Sequence, residues 1–220
     1  MSRNKFAFSF AWIAALLVAT PATGQLVGFP VFAVPSGDGD ASNTVAAQWN
    51  RGLNSDSGEN GGFAAYFVRS TEMVSFNVAV GKLIGDIGEF TFGGQASYHL
   101  VSADDATVSL QAGVGYMALS NDALGVPLVG GDLKTLRIPV GLAFEARPSE
   151  FGRIWLMPRL DLVRSTDDAG TSTVKEFGMS VGASVSSEGG LGIHAAIDFV
   201  NVEGGAPLIG AIGLQYILGN

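Results

Sequence analysis

Residues 89–100 read Glu-Phe-Thr-Phe-Gly-Gly-Gln-Ala-Ser-Tyr-His-Leu, and alternate positions differ in kind. Phe90, Phe92, Gly94, Ala96, Tyr98 and Leu100 form one set; Glu89, Thr91, Gly93, Gln95, Ser97 and His99 form the other. A period of two puts the sets on opposite faces of a β-strand, where a helix would need apolar residues three and four apart. Val108, Leu110, Ala112, Val114 and Tyr116 alternate likewise with Thr107, Ser109, Gln111, Gly113 and Gly115. So do Leu136, Ile138, Val140, Leu142 and Phe144 with Thr135, Arg137, Gly141 and Glu145. Segments 153–164, 174–186, 191–201 and 208–218 repeat the pattern. Three more strands read at 44–52, 62–69 and 73–81, the facing of the second ambiguous. The count is ten strands, with eight possible.

Composition fits an ordered, strand-rich chain. Of 220 residues, 47% are apolar and 15% charged, which excludes disorder. Thirty-one glycines without a Gly-X-Y period exclude collagen and favour strands joined by tight turns. The absence of cysteine removes disulfide scaffolds, Cys-ligated zinc, iron–sulfur clusters and thiol catalysis. A net charge of −8 leaves no basic face for phosphate, so nucleic acid is not expected as a partner.

The first 24 residues read as a signal peptide. Arg3 and Lys5 form the charged region, Phe6 to Val18 the apolar core, and Ala22-Thr23-Gly24 the cleavage site before Gln25. An apolar core this short does not reach the roughly 20 residues of a spanning helix, and no Cys follows it for lipid anchoring. Processing leaves 10 basic and 20 acidic residues, a balance of −10. Residues 25–42 read as a linker and 43–220 as the barrel domain. Asp38-Gly39-Asp40-Ala41-Ser42 has alternating oxygens but lacks the Gly and Glu that complete a calcium loop; Asn43 and Trp49 stand there, so it reads as solvated linker.

No later run approaches 18 apolar residues, which excludes a helical membrane protein. The polar faces of the strands hold mostly Gly, Ser, Gln and Asn. A soluble barrel would carry Lys, Glu and Thr there, facing water, whereas small polar groups suit a narrow lumen inside a wall that meets lipid. The fold expected is all-β: a closed antiparallel up-and-down transmembrane β-barrel. Closure pairs every backbone group within hydrocarbon. Connections at 70–72, 102–105, 147–152 and 187–190 are short, and those at 53–61, 82–88, 119–132, 165–173 and 202–207 mostly longer. That alternation places the termini and short turns in the periplasm and the longer loops outside. Trp49, Phe90, Tyr116, Phe177 and Phe199 then form an external aromatic girdle, and Tyr98, Phe144 and Tyr216 a periplasmic one.

Over residues 43 to 218 the chain resembles the bacterial outer-membrane β-barrels of the OmpA-like and opacity-like kind. Ile212-x-Leu214-x-Tyr216-x-Leu218 looks like the terminal strand signal read by the barrel-assembly machinery, although the chain ends Leu218-Gly219-Asn220 and not on an aromatic residue. The resemblance implies residence in the outer membrane among its lipids and lipopolysaccharide.

Chemistry has few candidates. His99 and His194 both fall on the lumen face, with Glu176 and Asp198. His99 near Ser97 and Ser102 invites comparison with lipid A deacylase barrels, but Ser97 is one side-chain step away on the same face and Ser102 has the opposite parity. His194 and Asp198 lie roughly 13 Å apart along one strand, too far for a hydrogen bond. No catalytic residue, cofactor or metal site is expected. Asp56, Glu59, Asp122, Asp132, Asp167 and Asp168 either bridge divalent cations to lipopolysaccharide or keep the loops soluble. A turn about Ser149 would oppose Glu145 to Arg153 and Arg137 to Asp161, two ion pairs inside the lumen with Arg159 beside them. The reading is a non-enzymatic barrel with a plugged lumen that serves envelope integrity, adhesion or the passage of very small solutes. The alternatives are a lipid-modifying barrel enzyme and a soluble periplasmic ligand-binding barrel.

Overall fold

A computed structural model describes residues 42–57, 61–84, 90–119, 133–168, 170–202 and 205–218. The signal peptide, most of the linker with Asp38 and Asp40, and loop residues Glu59, Asp122 and Asp132 lie outside these. The strands are β1 (Ser42–Gly52), β2 (Gly61–Ser70), β3 (Val74–Leu83), β4 (Phe90–Ser102), β5 (Ala106–Leu119), β6 (Leu133–Ser149), β7 (Gly152–Asp167), β8 (Gly170–Ser186), β9 (Leu191–Asn201) and β10 (Leu208–Leu218). Each pairs antiparallel with its sequence neighbour, and β1 pairs with β10, closing the barrel. A single 3-10 turn, Ser55–Ser57, sits in the first loop. The first residue of β1 and the last of β10 share one end, the terminus end, with the turns at 71–73, 103–105, 150–151 and 187–190. The opposite, loop end carries the other connections.

The strands lean steeply. From Gln48 the register runs through Ala64, Gly81, Thr91, Met117, Thr135 and Ser165 to Ser172 one way, and through Gly213 and His194 to Ser184 the other. One circuit therefore slips twelve residues along β8, from 172 to 184. For ten strands about 4.8 Å apart rising about 3.3 Å per residue, that slip is a tilt of about 40°.

The faces are inverted relative to a soluble protein. Every strand exposes large apolar side chains outward: Val45 on β1, Phe67 on β2, Phe76 on β3, Phe92 on β4, Leu110 on β5, Val140 on β6, Leu160 on β7, Val181 on β8, Leu191 on β9 and Leu214 on β10. The buried set is mostly polar, including Gln48, Gln95, Gln111, Arg137, Glu145, Arg159, Asp161, His194 and Asp198. An apolar belt around the whole circumference far exceeds the few hundred Å2 that a soluble monomer exposes. The facing of β2 resolves with Phe63 and Phe67 outward, Tyr66 and Val68 inward.

Two expectations are corrected. The supposed 165–173 loop is a tight hairpin: β7 runs to Asp167 and β8 restarts at Gly170, whose N–H donates to Asp167 Oδ1 at 2.9 Å. This connection breaks the alternation of long and short, because the Ser-Thr run at 171–173 continues the ladder. The β6–β7 register is also shifted by two. An irregularity between Ala146 and Ser149, beside Pro148, moves the turn to Glu150 and Phe151, so Glu145 stands opposite Trp155, and Arg137 opposite Val163. A slip of two keeps every side chain on its face.

Proline interrupts the ladder on both sides of β6. The pairing lapses at Gly113 and Pro139, and again at Leu142 and Pro158, since proline has no N–H to donate. Gly141 fits this crowded place. A Cβ there would lie 2.4 Å from the Pro158 carbonyl oxygen and 2.7 Å from Arg159 Cβ.

Candidate functional site in the barrel lumen

The middle of the lumen is built around Arg159 on β7. Its Nε donates to both carboxylate oxygens of Asp161 at 3.1 Å, and its Nη1 donates to Ser180 Oγ at 2.8 Å. Nη1 and Nη2 also grip Asp198 of β9 at 2.6 and 2.9 Å, a fork matched to a carboxylate. Ser180 hydrogen-bonds Asp198 as well, and Arg137 reaches Asp161 from β6. Arg159, Asp161 and Asp198 are only 2%, 0% and 3% exposed. The Arg137–Asp161 contact is diagonal, because the shifted register puts Asp161 opposite Pro139. Glu176 is the direct neighbour of Asp161 on β8 and is half-buried.

Closer to the terminus end, Glu145 lies 3.1 Å from Arg147 Nε and 3.8 Å from Arg153 Nη1. Arg153 also lines a vestibule of ≈ 560 Å3 with Phe151, Glu188 and Tyr216 at that mouth. Among the described residues the lumen holds Arg137, Arg147, Arg153 and Arg159 against Glu145, Asp161, Glu176 and Asp198, four of each sign.

Two further clusters use the histidines. His194 Nε2 lies 2.8 Å from Tyr66 Oη and 3.2 Å from Gln48 Oε1, and Gln48 Nε2 donates to Asn50 at 2.9 Å. His99 is met by neither Ser97 nor Ser102 but by Ser75 of β3, whose Oγ is 3.0 Å from Nε2. The Glu72 carbonyl lies 3.0 Å from Nδ1 and accepts a hydrogen bond from its N–H, which leaves Nε2 of a singly protonated ring to accept from the Ser75 hydroxyl. This resembles the start of a serine nucleophile, yet Ser75 is 3% exposed and its Oγ is also held 2.5 Å from Ser70 Oγ. A substrate carbonyl would have to displace those partners to reach it.

Glycine and apolar residues complete the filling, and sequence reading missed both roles. Gly182 sits under the Trp155 ring, where a Cβ would come within 2.1 Å of Cζ2. Gly178 lies under the Arg159 guanidinium, at 2.8 Å from Cζ, and Gly213 under His194, at 2.5 Å from Cε1. Each glycine is the direct cross-strand partner of the bulky residue above it. Trp155, Met117, Leu83 and Ile209 belong to one buried apolar cluster within this mostly polar interior. Where Gln95, Gln111, Gly141, Met157 and Arg159 meet, the void is ≈ 10 Å3, about one water.

Outside, Trp49, Phe90, Tyr116, Phe177 and Phe199 lie on the outward face toward the loop end, and Tyr98, Phe144 and Tyr216 toward the terminus end. Phe90 stacks near Phe92 at 6.5 Å, and Lys82 Nζ sits 5.3 Å over the Phe90 ring. No protein-family model matches the chain, and no curated protein does. Solved structures are similar at low identity. The N-terminal β-barrel domain of Pseudomonas aeruginosa OprF is 9% identical over 82% of this chain and 100% of its own, with a TM-score of 0.41. Yersinia pestis outer-membrane protein Ail is 9% identical over 81% and 100%, TM-score 0.46, and the β domain of the Bordetella autotransporter BrkA 12% over 80% and 99%, TM-score 0.48. Closure of all ten strands, the encircling apolar wall and the charged interior define the architecture independently. The chain is a closed, ten-stranded, antiparallel up-and-down β-barrel with an apolar outer wall and a largely polar interior.

Proposed function

We propose that this protein is a non-enzymatic outer-membrane barrel whose lumen is plugged by its own side chains. Its termini and short turns would face the periplasm and its loop end the exterior. The observation that carries the reading is the Arg159 network, which ties β6, β7, β8 and β9 together across the middle of the lumen. Ten strands enclose little more than side chains; open channels belong to barrels of about 16 strands. The equal charges of the lumen leave no net field to draw one sign of ion through it. Envelope integrity, adhesion or passage of very small solutes are roles that need no active site. A lipid-modifying enzyme would need its nucleophile toward lipid, and Ser75 and His99 point inward. A soluble periplasmic barrel would expose its whole apolar belt to water.

Residues 1–24 would export the chain, and β10 would offer the assembly machinery its alternating strand. Fractionation tests the location: recovery of folded protein without detergent, in the periplasmic fraction, would sink the membrane reading. Planar-bilayer recording tests the plug. Current at or near baseline is expected, and a large stable conductance would overturn it.

A further inference from the structure

Charge is sorted by face. Of the ten basic residues after the signal, four line the lumen and six stand on the outward wall: Arg51, Arg69, Lys82, Lys134, Arg164 and Lys175. No carboxylate of the described residues stands on that wall; those outside the lumen lie in turns or at the hairpin tip. Although 20 acidic residues stand against 10 basic ones after the signal, the described part of this wall carries only positive charge.

Five of the six cations are at the loop end, and three of them are adjacent. Arg164 on β7 pairs with Leu136 and Thr173, so Lys134 and Lys175 are its diagonal neighbours on β6 and β8. Each diagonal step descends two residues, about 6.6 Å along the strand, while the tilt of about 40° raises each successive strand. At each step the rise of about 3 Å offsets more than half of a descent of about 5 Å, so the row of three cations falls by only about 4 Å over its length relative to the membrane plane. All three side chains are exposed. Below the row the wall is apolar, with Leu160 paired to Phe177. Above it lie Thr166 and Thr171, paired and 3.2 Å apart between hydroxyls. Moving outward, the wall therefore runs from apolar to cationic to hydroxyl, the sequence of acyl chain, phosphate and sugar in a phosphorylated glycolipid.

We propose that Lys134, Arg164 and Lys175 form a binding site for the phosphates of an outer-leaflet glycolipid of the lipid A kind. The inference rests on the outer-membrane reading above, with the loop end outside. Three cations spread over two diagonal steps, about 16 Å from end to end, suit a headgroup with more than one phosphate better than a single-phosphate phospholipid. Direct contact by cations needs no bridging metal, unlike the acidic-loop route considered from sequence.

The test uses the folded mature protein in zwitterionic detergent, with lipid binding counted by native mass spectrometry. Bisphosphorylated lipid A should bind more tightly than its phosphate-free form, and inorganic phosphate at equal concentration should not compete. Replacing Lys134, Arg164 and Lys175 together by Gln should weaken lipid A binding on the order of 100-fold, about fivefold for each cation. Arg69→Gln, on the wall at the other end, should leave binding unchanged. Heat-modifiable migration checks that each variant is folded. Wild-type affinity in the folded triple variant overturns the proposal, as does equal binding of the phosphate-free lipid or of phosphatidylglycerol. Failure of the outer-membrane reading would show separately, in fractionation of the wild type.

Discussion

Arg159→Ala removes the side chain that holds Asp198 and Asp161 at once. Asp161 keeps Arg137, but Asp198, 3% exposed, keeps among its described contacts only the Ser180 hydroxyl. Breaking a buried ion pair by deleting one partner costs about 3–5 kcal/mol, most of it from the charge left uncompensated. The loss should therefore fall mainly on Asp198. Adding Asp198→Asn to Arg159→Ala removes that charge and should recover a good part of the stability, a coupling of at least about 1.5 kcal/mol in the double-mutant cycle. Urea unfolding of the protein reconstituted in lipid vesicles, followed by the fluorescence of Trp49 and Trp155, measures it. The same variant widens a void that is now ≈ 10 Å3, so its bilayer conductance should rise above wild type. A variant within about 1 kcal/mol of wild type, additive with Asp198→Asn and unchanged in conductance, would refute the plug as the organising element of the lumen.

Gly182→Ala places a Cβ against the Trp155 ring and should destabilise by about 1–3 kcal/mol with a shift in tryptophan emission, whereas Gly170→Ala, where nothing lies within 4 Å, strains only a backbone at φ +150° and should leave the emission alone. Cysteine at Asp168, the exposed hairpin tip, should react with an impermeant reagent on intact cells, and cysteine at Glu150 should not; reversed labelling would invert the barrel. Ser75→Ala should cost about 1–3 kcal/mol by leaving His99 short of a partner, with the lipid composition of the membrane unaltered. A changed acylation pattern in cells carrying that variant would revive the enzymatic alternative.

Strand existence and facing were legible because an apolar outer wall on one side and a polar interior on the other make the period of two strict, as in 89–100 and 135–145. What failed was whatever depends on a local count. The hairpin at 149–152 absorbs an irregularity beside Pro148, and no periodicity reveals a slip of two, since both registers keep the same faces. The Arg137–Asp161 and Glu145–Arg153 contacts survive that slip because long side chains reach a diagonal neighbour as readily as a direct one. Ser75 and His99 meet only through the β3–β4 pairing, 24 residues apart, so scanning for a serine near His99 in sequence pointed to Ser97 and Ser102 instead. The glycines of the polar face read only as small groups suited to a narrow lumen. In fact Gly178, Gly182 and Gly213 are seats for Arg159, Trp155 and His194, and the space they leave is filled.

That filling makes pairing within the interior decisive, and most of its charged side chains are paired, although Ser109 Oγ, Gln111 Nε2 and His194 Nδ1 have no hydrogen-bond partner among the described residues. If the wall meets lipid as proposed, it gains nothing from further burial, and stability then depends on the closed ladder and on packing and hydrogen bonding within the lumen. A neutral polar filling would serve the same end at lower risk, because a buried ion pair is often no more stabilising than apolar residues of its shape. Charges do, however, impose geometry: Arg159 satisfies Asp161, Ser180 and Asp198 only when β7, β8 and β9 are in one register. A single ion pair tolerates a slip of two, but a slip of two along β8 or β9 would move Ser180 or Asp198 relative to Arg159 and disturb at least one contact of this three-partner network. The Arg159 network thus supplies what the alternation of faces lacks, discrimination between registers of the same parity, and the side chains given to that purpose are the ones the proposed plug consists of.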